Sequence, residues 1–406
     1  MSYDFDRRRF LQMGMAFGAA AATRQDALGR EADADVAELV SGKDSRLIVH
    51  NSKTLEIETP LELLRNDRLT PKSVLFVRNN QELAGSRTTS PPSVEDWRFN
   101  IGGMVETPRT VSLAQLREME QTACEMVLQC SGNGRAHFSK AAPVKGAPWR
   151  EGAVANVRFG GIRLKSLFDS FQLGLAPDAR FLTAEGKDGP QKLEEADFEH
   201  SIPLEDALAR SIIALSMNGE PIPAVHGGPV RLVTPGYYGT MQLKWLSRLR
   251  LETRETFNHH QRRRYRTPRS PIKAGSEFNY DFDTSEPNWR MRIKSTIFAP
   301  LEGESLRSGE NEIRGVAWND GEVAIEAVDV SLDEGRTWRR AVLERPESPY
   351  AWYHWSATIS LAKGRHRILA RAVDRLGRTQ PLDGSVGWNP AGYAWNGVHR
   401  VEVSVI

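Results

Sequence analysis

The chain has 406 residues, a formal net charge of +2 and 40% hydrophobic residues. That length exceeds one ordinary domain and suits two or three, while the near-balanced charge gives no overall bias toward nucleic acid. Its two cysteines, Cys124 and Cys130, cannot build a disulfide framework, and neither has a second cysteine three positions away, which excludes a cysteine-pair zinc site and covalent haem attachment.

The first segment reads as an address. Asp6-Arg7-Arg8-Arg9-Phe10-Leu11 sets consecutive arginines ahead of Phe-Leu, and a short Gly/Ala-rich run follows to Ala22. This is the pattern of a twin-arginine export signal, a route that carries folded, cofactor-loaded proteins. The run is shorter than the roughly 20 apolar residues a membrane-spanning helix needs, and no later run reaches that length. Residues 1–44 are therefore expected to be signal plus a charged linker, and the protein to work in the periplasm. Ala20-Ala21-Ala22 offers a small-residue cleavage site.

Residues 45–265 mix short strand-like runs, helical patterns and many Gly/Pro breaks, an α+β pattern. Met217-Asn218-Gly219-Glu220-Pro221 reads as a tight hairpin, because Asn-Gly tolerates the positive φ of a primed turn. Val230-Arg231-Leu232-Val233 beyond it is strand-like. Residues 266–287, rich in Pro, Ser and charge, form a connector. From residue 288 to 406 the pattern turns to alternation: Val328, Val330 and Leu332 against Asp329 and Ser331, Ile368, Ala370 and Ala372 against Arg367 and Arg371, then Val401, Val403 and Val405. Short alternating strands with turn signals and most of the tryptophans predict an immunoglobulin-like β-sandwich.

Within the first body the most informative run is Gln129-Cys130-Ser131-Gly132-Asn133-Gly134-Arg135. A thiolate is a soft ligand for a transition metal. Gly132 and Gly134 let the backbone turn and approach a bulky group, and Arg135 can lower the thiol pKa and hold an oxyanion through its planar fork. His226, Arg231 and Lys244 are further donors suited to a phosphate, and each alone would more ordinarily be a structural residue.

These runs together resemble the sulfite oxidase family of molybdenum enzymes. The cysteine loop is similar to its Cys-Ser/Ala-Gly-Asn-x-Arg segment, Leu75-Phe76-Val77-Arg78-Asn79-Asn80 to its Phe-x-Arg-Asn-His, His226-Gly227-Gly228-Pro229-Val230-Arg231 to its His-Gly-x-Pro-Val-Arg, and Gln242-Leu243-Lys244-Trp245-Leu246 to its x-Val-Lys-Trp-Leu. Gln261-Arg262-Arg263-Arg264-Tyr265 ends the body where the family carries an active-site tyrosine. The resemblance implies an α+β molybdopterin-binding domain of sulfite oxidase type followed by an immunoglobulin-like dimerisation domain. It implies one molybdenum-molybdopterin per chain, with Cys130 as protein ligand of the metal. Phe76, Val77, Arg78, Asn79, Asn80, Asp188, His226, Arg231, Gln242, Leu243 and Lys244 would bind the cofactor, and Arg78, Arg135 and Tyr265 would act on substrate. The implied reaction is oxidation of sulfite to sulfate. Since the chain lacks a Cys-x-x-Cys-His haem site, electrons are expected to pass to a separate acceptor such as a c-type cytochrome. Two departures bear on the substrate. The family's His after Arg-Asn is here Asn80, and where members read Trp-Arg-x-Trp this chain has Trp352-Tyr353-His354-Trp355, with Tyr353 replacing a guanidinium. Another sulfur compound, carrying sulfane sulfur or an oxidised sulfur group, is the alternative substrate, and a non-redox anion-binding protein the alternative class.

Overall fold

The computed structural model describes residues 40–81, 94–189, 197–382 and 386–406. The arginines and apolar run of the expected export signal lie outside the described residues. Among those described, no helix is long and apolar enough to cross a membrane.

Two five-stranded sheets carry the first domain. In one, Thr122–Gln129, Val154–Arg163, Ile212–Met217 and Glu220–Pro221 are neighbours in that order, and Arg231–Val233 also pairs with Ile212–Met217. Val154, Ala155, Val157 and Phe159 are all fully buried, so the central strand reads as an apolar run covered on both faces. The expected hairpin is present: Glu220 pairs with Met217 across Asn218 and Gly219, whose φ angles are 54° and 84°. The second sheet runs Arg109–Ser112, Arg98–Gly103, Leu246–Glu252, Phe181–Gly186, Glu199–Pro203, with Leu246–Glu252 parallel to Arg98–Gly103. Helix Leu113–Glu118 starts on a reciprocal cap, Gln115 N–H donating to Ser112 Oγ while Ser112 N–H donates to Gln115 Oε1. Its Leu113 and Leu116 enter the main core with Trp97, Phe99 and Leu249. Truncating a buried leucine such as Leu249 to alanine costs about 2–5 kcal/mol, depending on how far the site collapses.

The second domain is a sandwich. One sheet orders Lys294–Ala299, Gly309–Trp318, Tyr353–Leu361 and Val342–Glu344, the other Ser305–Leu306, His399–Val405, Gly364–Asp374, Ile325–Ser331 and Arg339–Arg340. Ile368, Ala370, Ala372, Val401, Val403 and Val405 fill the space between them, as alternation requires. The polar side of Ile325–Ser331 departs from simple exposure: Asp329 is buried, its carboxylate paired with Arg340 at 2.8 Å and Arg371 at 3.4 Å. Tyr353 also departs from expectation. Its ring lies in the sandwich core opposite Ala317, not at a substrate site, because a strand residue facing inward is buried by the facing sheet. His354, next on the same strand, lines a separate surface pocket with Arg65, Phe298 and Glu344.

The connector is an ordered hairpin foot in which Arg266–Pro268 pairs with Ser285–Pro287. Arg266 is 1% exposed and donates to Ser285 Oγ, Ser285 O and Gln261 O. The two domains then share a core, since Trp318, Trp352 and Tyr393 of the second pack with the main cluster of the first. A fully buried ion pair, Lys294 Nζ to Glu151 Oε2 at 2.7 Å, joins them, and breaking such a pair from one side costs about 3–5 kcal/mol.

Candidate functional site

Strand Thr122–Gln129 delivers the cysteine loop. Cys130 N–H donates to Ala153 O, and two successive turns, Asn133 N–H to Cys130 O and Arg135 N–H to Gly132 O, wrap the backbone around the thiol. Gly134, at φ 86°, lets that loop enter the short helix Arg135–Phe138. Cys130 Sγ is buried, and Gly132 N–H donates to it at 3.4 Å. The second domain braces this loop from three sides. Trp318 Nε1 donates to Gln129 Oε1, Ala394 N–H donates to Ser131 O, and the Trp395 ring packs where a Cβ on Gly134 would stand.

Cys130 opens on a partly enclosed cavity. Most of the expected residues share its wall: Phe76, Arg78, Asn79 and Asn80 from one segment, Asp188, then His226, Arg231, Gln242 and Lys244, and Tyr265. Trp245 and Tyr265 hold φ angles of 48° and 53°, left-handed conformations that cost a non-glycine residue about 1–3 kcal/mol and are tolerated where the surroundings enforce them. Here Trp245 Nε1 donates to Ala224 O, and Asn288 N–H donates to Tyr265 O.

At the far end the wall is cationic. Lys244 Nζ donates to Asn79 Oδ1 at 2.6 Å, to Val225 O at 2.8 Å and to Arg78 O at 3.2 Å, all uncharged groups. Arg231 spends its two terminal nitrogens on His226 O and Gln242 O. Lys43 reaches His226 Nε2 at 2.8 Å. Burial holds Lys244 well below the ordinary lysine range, lowers Lys43 to about 7 and Arg231 to about 9; His226 is lowered by burial first and then by Lys43 and Lys244. The nearby carboxyl is Asp188, itself pushed up by burial to about 7. Buried cations without matching carboxylates predict an anion. Arg231 Nε and Gln242 Oε1 are buried and unpaired, further open valences in the same wall.

At the Cys130 end, Arg78 Nη2 and Tyr265 Oη both donate to Asn80 Oδ1, at 3.3 and 2.8 Å. Arg78 Nε is 3.3 Å from Glu56 Oε1. Burial raises the Tyr265 phenol, so it is a proton donor through the ordinary pH range.

Three expected residues lie elsewhere. Val77 is fully buried and paired with Ile57, and Leu243 is fully buried, so each contributes backbone and packing rather than a wall side chain. Arg135 is also off the wall. Its Nε donates to Ala391 O, its Nη1 to Ala147 O, and its guanidinium sits 5.4 Å over the Tyr393 ring. A Cβ at Gly132 or Gly146 would come within 2.6 Å of that guanidinium, which is why glycine surrounds it. Sequence reasoning missed Lys43, assigned to the linker, and the wall residues Leu128, Phe198, Gly239 and Thr240. Trp245 was inside a quoted segment but given no role.

The residues fit a molybdopterin. An anion-seeking cradle for a terminal phosphate stands at one end and a buried thiol at the other. Among the described residues no group of three His, Cys, Asp or Glu side chains could hold a bare ion, so Cys130 would be a lone protein ligand and the remaining donors would come from the cofactor.

The comparisons agree on the class. The family described as "Oxidoreductase molybdopterin binding domain" matches residues 87–260, and "Mo-co oxidoreductase dimerisation domain" matches residues 285–406. The chain thus carries a molybdopterin-binding domain of oxidoreductase type followed by a dimerisation domain, here a sandwich.

Sulfite oxidase of Gallus gallus is 31% identical over 371 residues, covering 87% of this chain and 77% of that protein. Mitochondrial sulfite oxidase of Rattus norvegicus is 32% identical over 370 residues, covering 89% of this chain and 66% of the relative, so the chain spans just under two thirds of such relatives. The chain belongs to the sulfite oxidase family. A crystal structure of the sulfane dehydrogenase SoxCD from Paracoccus pantotrophus superposes with a TM-score of 0.69 at 26% identity, covering 84% of this chain and 82% of that one.

Proposed function

We propose that this protein is a molybdenum-dependent dehydrogenase of reduced sulfur compounds that hands its electrons to a separate acceptor such as a c-type cytochrome. The observation that carries it is one cavity whose wall holds Cys130 together with His226, Arg231 and Lys244, with Lys43 reaching His226. When bound, the molybdenum centre supplies oxygen-atom transfer coupled to two electrons. The protein's part is to hold, orient and manage protons. Each oxygen added to sulfur consumes one water and releases two protons and two electrons, as in sulfite plus water giving sulfate. Tyr265, donating to Asn80 Oδ1, can turn its O–H to a product oxygen with little rearrangement, and Arg78 supplies the guanidinium.

Two substrates compete. Sulfite is favoured by the sulfite oxidase relatives. Sulfane sulfur is favoured by the low charge at the reacting end: Arg78 is ion-paired to Glu56, Arg135 is off the wall and Asn80 carries no charge, an arrangement poor at holding a free dianion. The likeness to a sulfane dehydrogenase points the same way. We place sulfane sulfur first. The test is purified protein assayed for about one molybdenum and one pterin per chain, then for reduction of ferricyanide or cytochrome c by sulfite and by thiosulfate. Protein free of molybdenum, or loaded protein inert to both compounds, defeats the reading.

Export by the twin-arginine route belongs to the same proposal: lysines replacing Arg7, Arg8 and Arg9 should strand loaded enzyme in the cytoplasm. So does a two-fold dimer through residues 285–406, which sedimentation at micromolar concentration reads directly.

A further inference from the structure

Segment 389–395 of the sandwich returns to the first domain and is fixed there residue by residue. Ala391 N–H donates to Tyr280 Oη at 3.1 Å and to Asn389 Oδ1 at 3.0 Å, Gly392 N–H to Asn389 O, and Ala394 N–H to Ser131 O beside the metal-ligand cysteine. Tyr393 is thereby pressed between Tyr265, which lines the cavity, and the Arg135 side chain behind it. Its ring stacks on Tyr265 at 5.0 Å between centroids and 29° between planes, and the Arg135 guanidinium lies 5.4 Å from its centroid. The residue is 8% exposed. Among the described residues no protein group accepts from or donates to its hydroxyl, although Tyr237, Tyr265 and Tyr280 all place theirs on side-chain oxygens. Tyr265 lines the cavity, so the stacking contact sets Tyr393 directly beside the Cys130 end of that wall. A mostly buried phenol with an idle O–H, locked in orientation by stacking, is pre-organised to donate to something the protein itself does not provide.

We propose that Tyr393, supplied by the sandwich domain, is a substrate-binding residue whose O–H donates to the sulfur-compound anion beside Tyr265, Asn80 and Arg78, so that hydroxyl and amide donors rather than paired cations set the specificity. This rests on the sulfur-compound reading and adds its recognition rule. Neutral donors bind an anion's oxygen or sulfur lone pair without a second cation beside it. It also makes the second domain part of the active site.

The test is Tyr393→Phe in the loaded holoenzyme, which keeps the ring stack and removes only the hydroxyl. Molybdenum and pterin content should be unchanged. The Kd of sulfate, titrated through tryptophan fluorescence, and the KM for thiosulfate should both rise about three- to tenfold, the worth of one neutral hydrogen bond, with kcat changed much less. Unchanged Kd and KM overturn the inference. If the parent enzyme oxidises no sulfur compound yet Tyr393→Phe still weakens sulfate binding, Tyr393 is confirmed as an anion donor and the functional reading alone fails.

Discussion

The two ends of the cavity handle positive charge in opposite ways. At the cradle, fully buried Arg231 and partly buried Lys43 and Lys244 sit on uncharged partners, the neutral His226 among them, with Asp188 the nearby carboxyl and itself pushed toward protonation. At the thiol end, Arg78 is matched by Glu56 and surrounded by Asn80 and Tyr265. An uncompensated buried cation is expensive and persists where a resident anion completes it. A neutralised site with free donors suits a ligand that comes and goes, because strong attraction to substrate and product alike would slow release without lowering the barrier. The cradle is built for a permanent occupant and the thiol end for turnover.

The sharpest way to break that comparison is at the ligand. Cys130→Ser should keep the fold and most of the pterin, since the cradle is untouched, yet lower turnover far beyond the roughly 10–100-fold that an outer-shell partner costs. Cys124→Ser, at a half-buried position beside Ser348, should be nearly silent. Pterin analysis and steady-state rates decide both, and full activity of Cys130→Ser would remove its assignment. Next comes the cradle. Lys244→Met deletes a charge-assisted contact of about 1.5–3 kcal/mol, so cofactor affinity should fall about 10–100-fold and purified protein should carry little pterin.

Acidity separates the ends more gently. Lys43 is lowered to about 7 by burial, and Lys244 is lowered too, so between about pH 7 and the ordinary lysine range the unfolded chain binds more protons than the folded one. The stability of cofactor-free protein should therefore rise with pH across that window. A bound phosphate restores the charged form of both lysines and should flatten the rise. Thermal melts of the two forms from pH 7 to 10 check this; identical slopes would mean the cradle is not where the anion sits. The smallest expected effect is at the thiol end. Glu56→Gln frees Arg78 from its partner, and the KM for sulfite should fall about threefold and become more dependent on salt, as a partly exposed ion pair of modest strength allows.

How much of this was legible in the chain varies with the range of the interaction. The cysteine loop, the hairpin at Asn218 and Gly219, and the alternation of Val401, Val403 and Val405 were readable because the glycine, turn and period-two signals act between neighbours. Arg78, Asn80, His226, Arg231 and Lys244 were found through short runs, and the structure brings them to one wall. Tyr353 was placed wrongly from its motif, since which way a strand side chain points depends on register against a facing sheet. Arg135 has the residue type of an anion ligand, and only its acceptors, Ala147 O and Ala391 O, reveal that most of its fork is occupied.

By itself, then, the sequence determined the α+β body, the sandwich, and which thiol and basic side chains meet at one cavity, because local turn chemistry, hydrophobic period and residue type leave a signature in a few consecutive positions. Tertiary structure alone decided that Lys43 reaches His226, that Glu56 pairs with Arg78, and that Trp318, Ala394 and Tyr393 from the second domain pack against the cysteine loop and Tyr265. Those contacts join residues up to 263 positions apart, as Ser131 and Ala394 are. Their cause is long-range packing, within the first domain for Lys43 and Glu56 and between the two domains for the rest, and no stretch of either segment encodes where the other will lie.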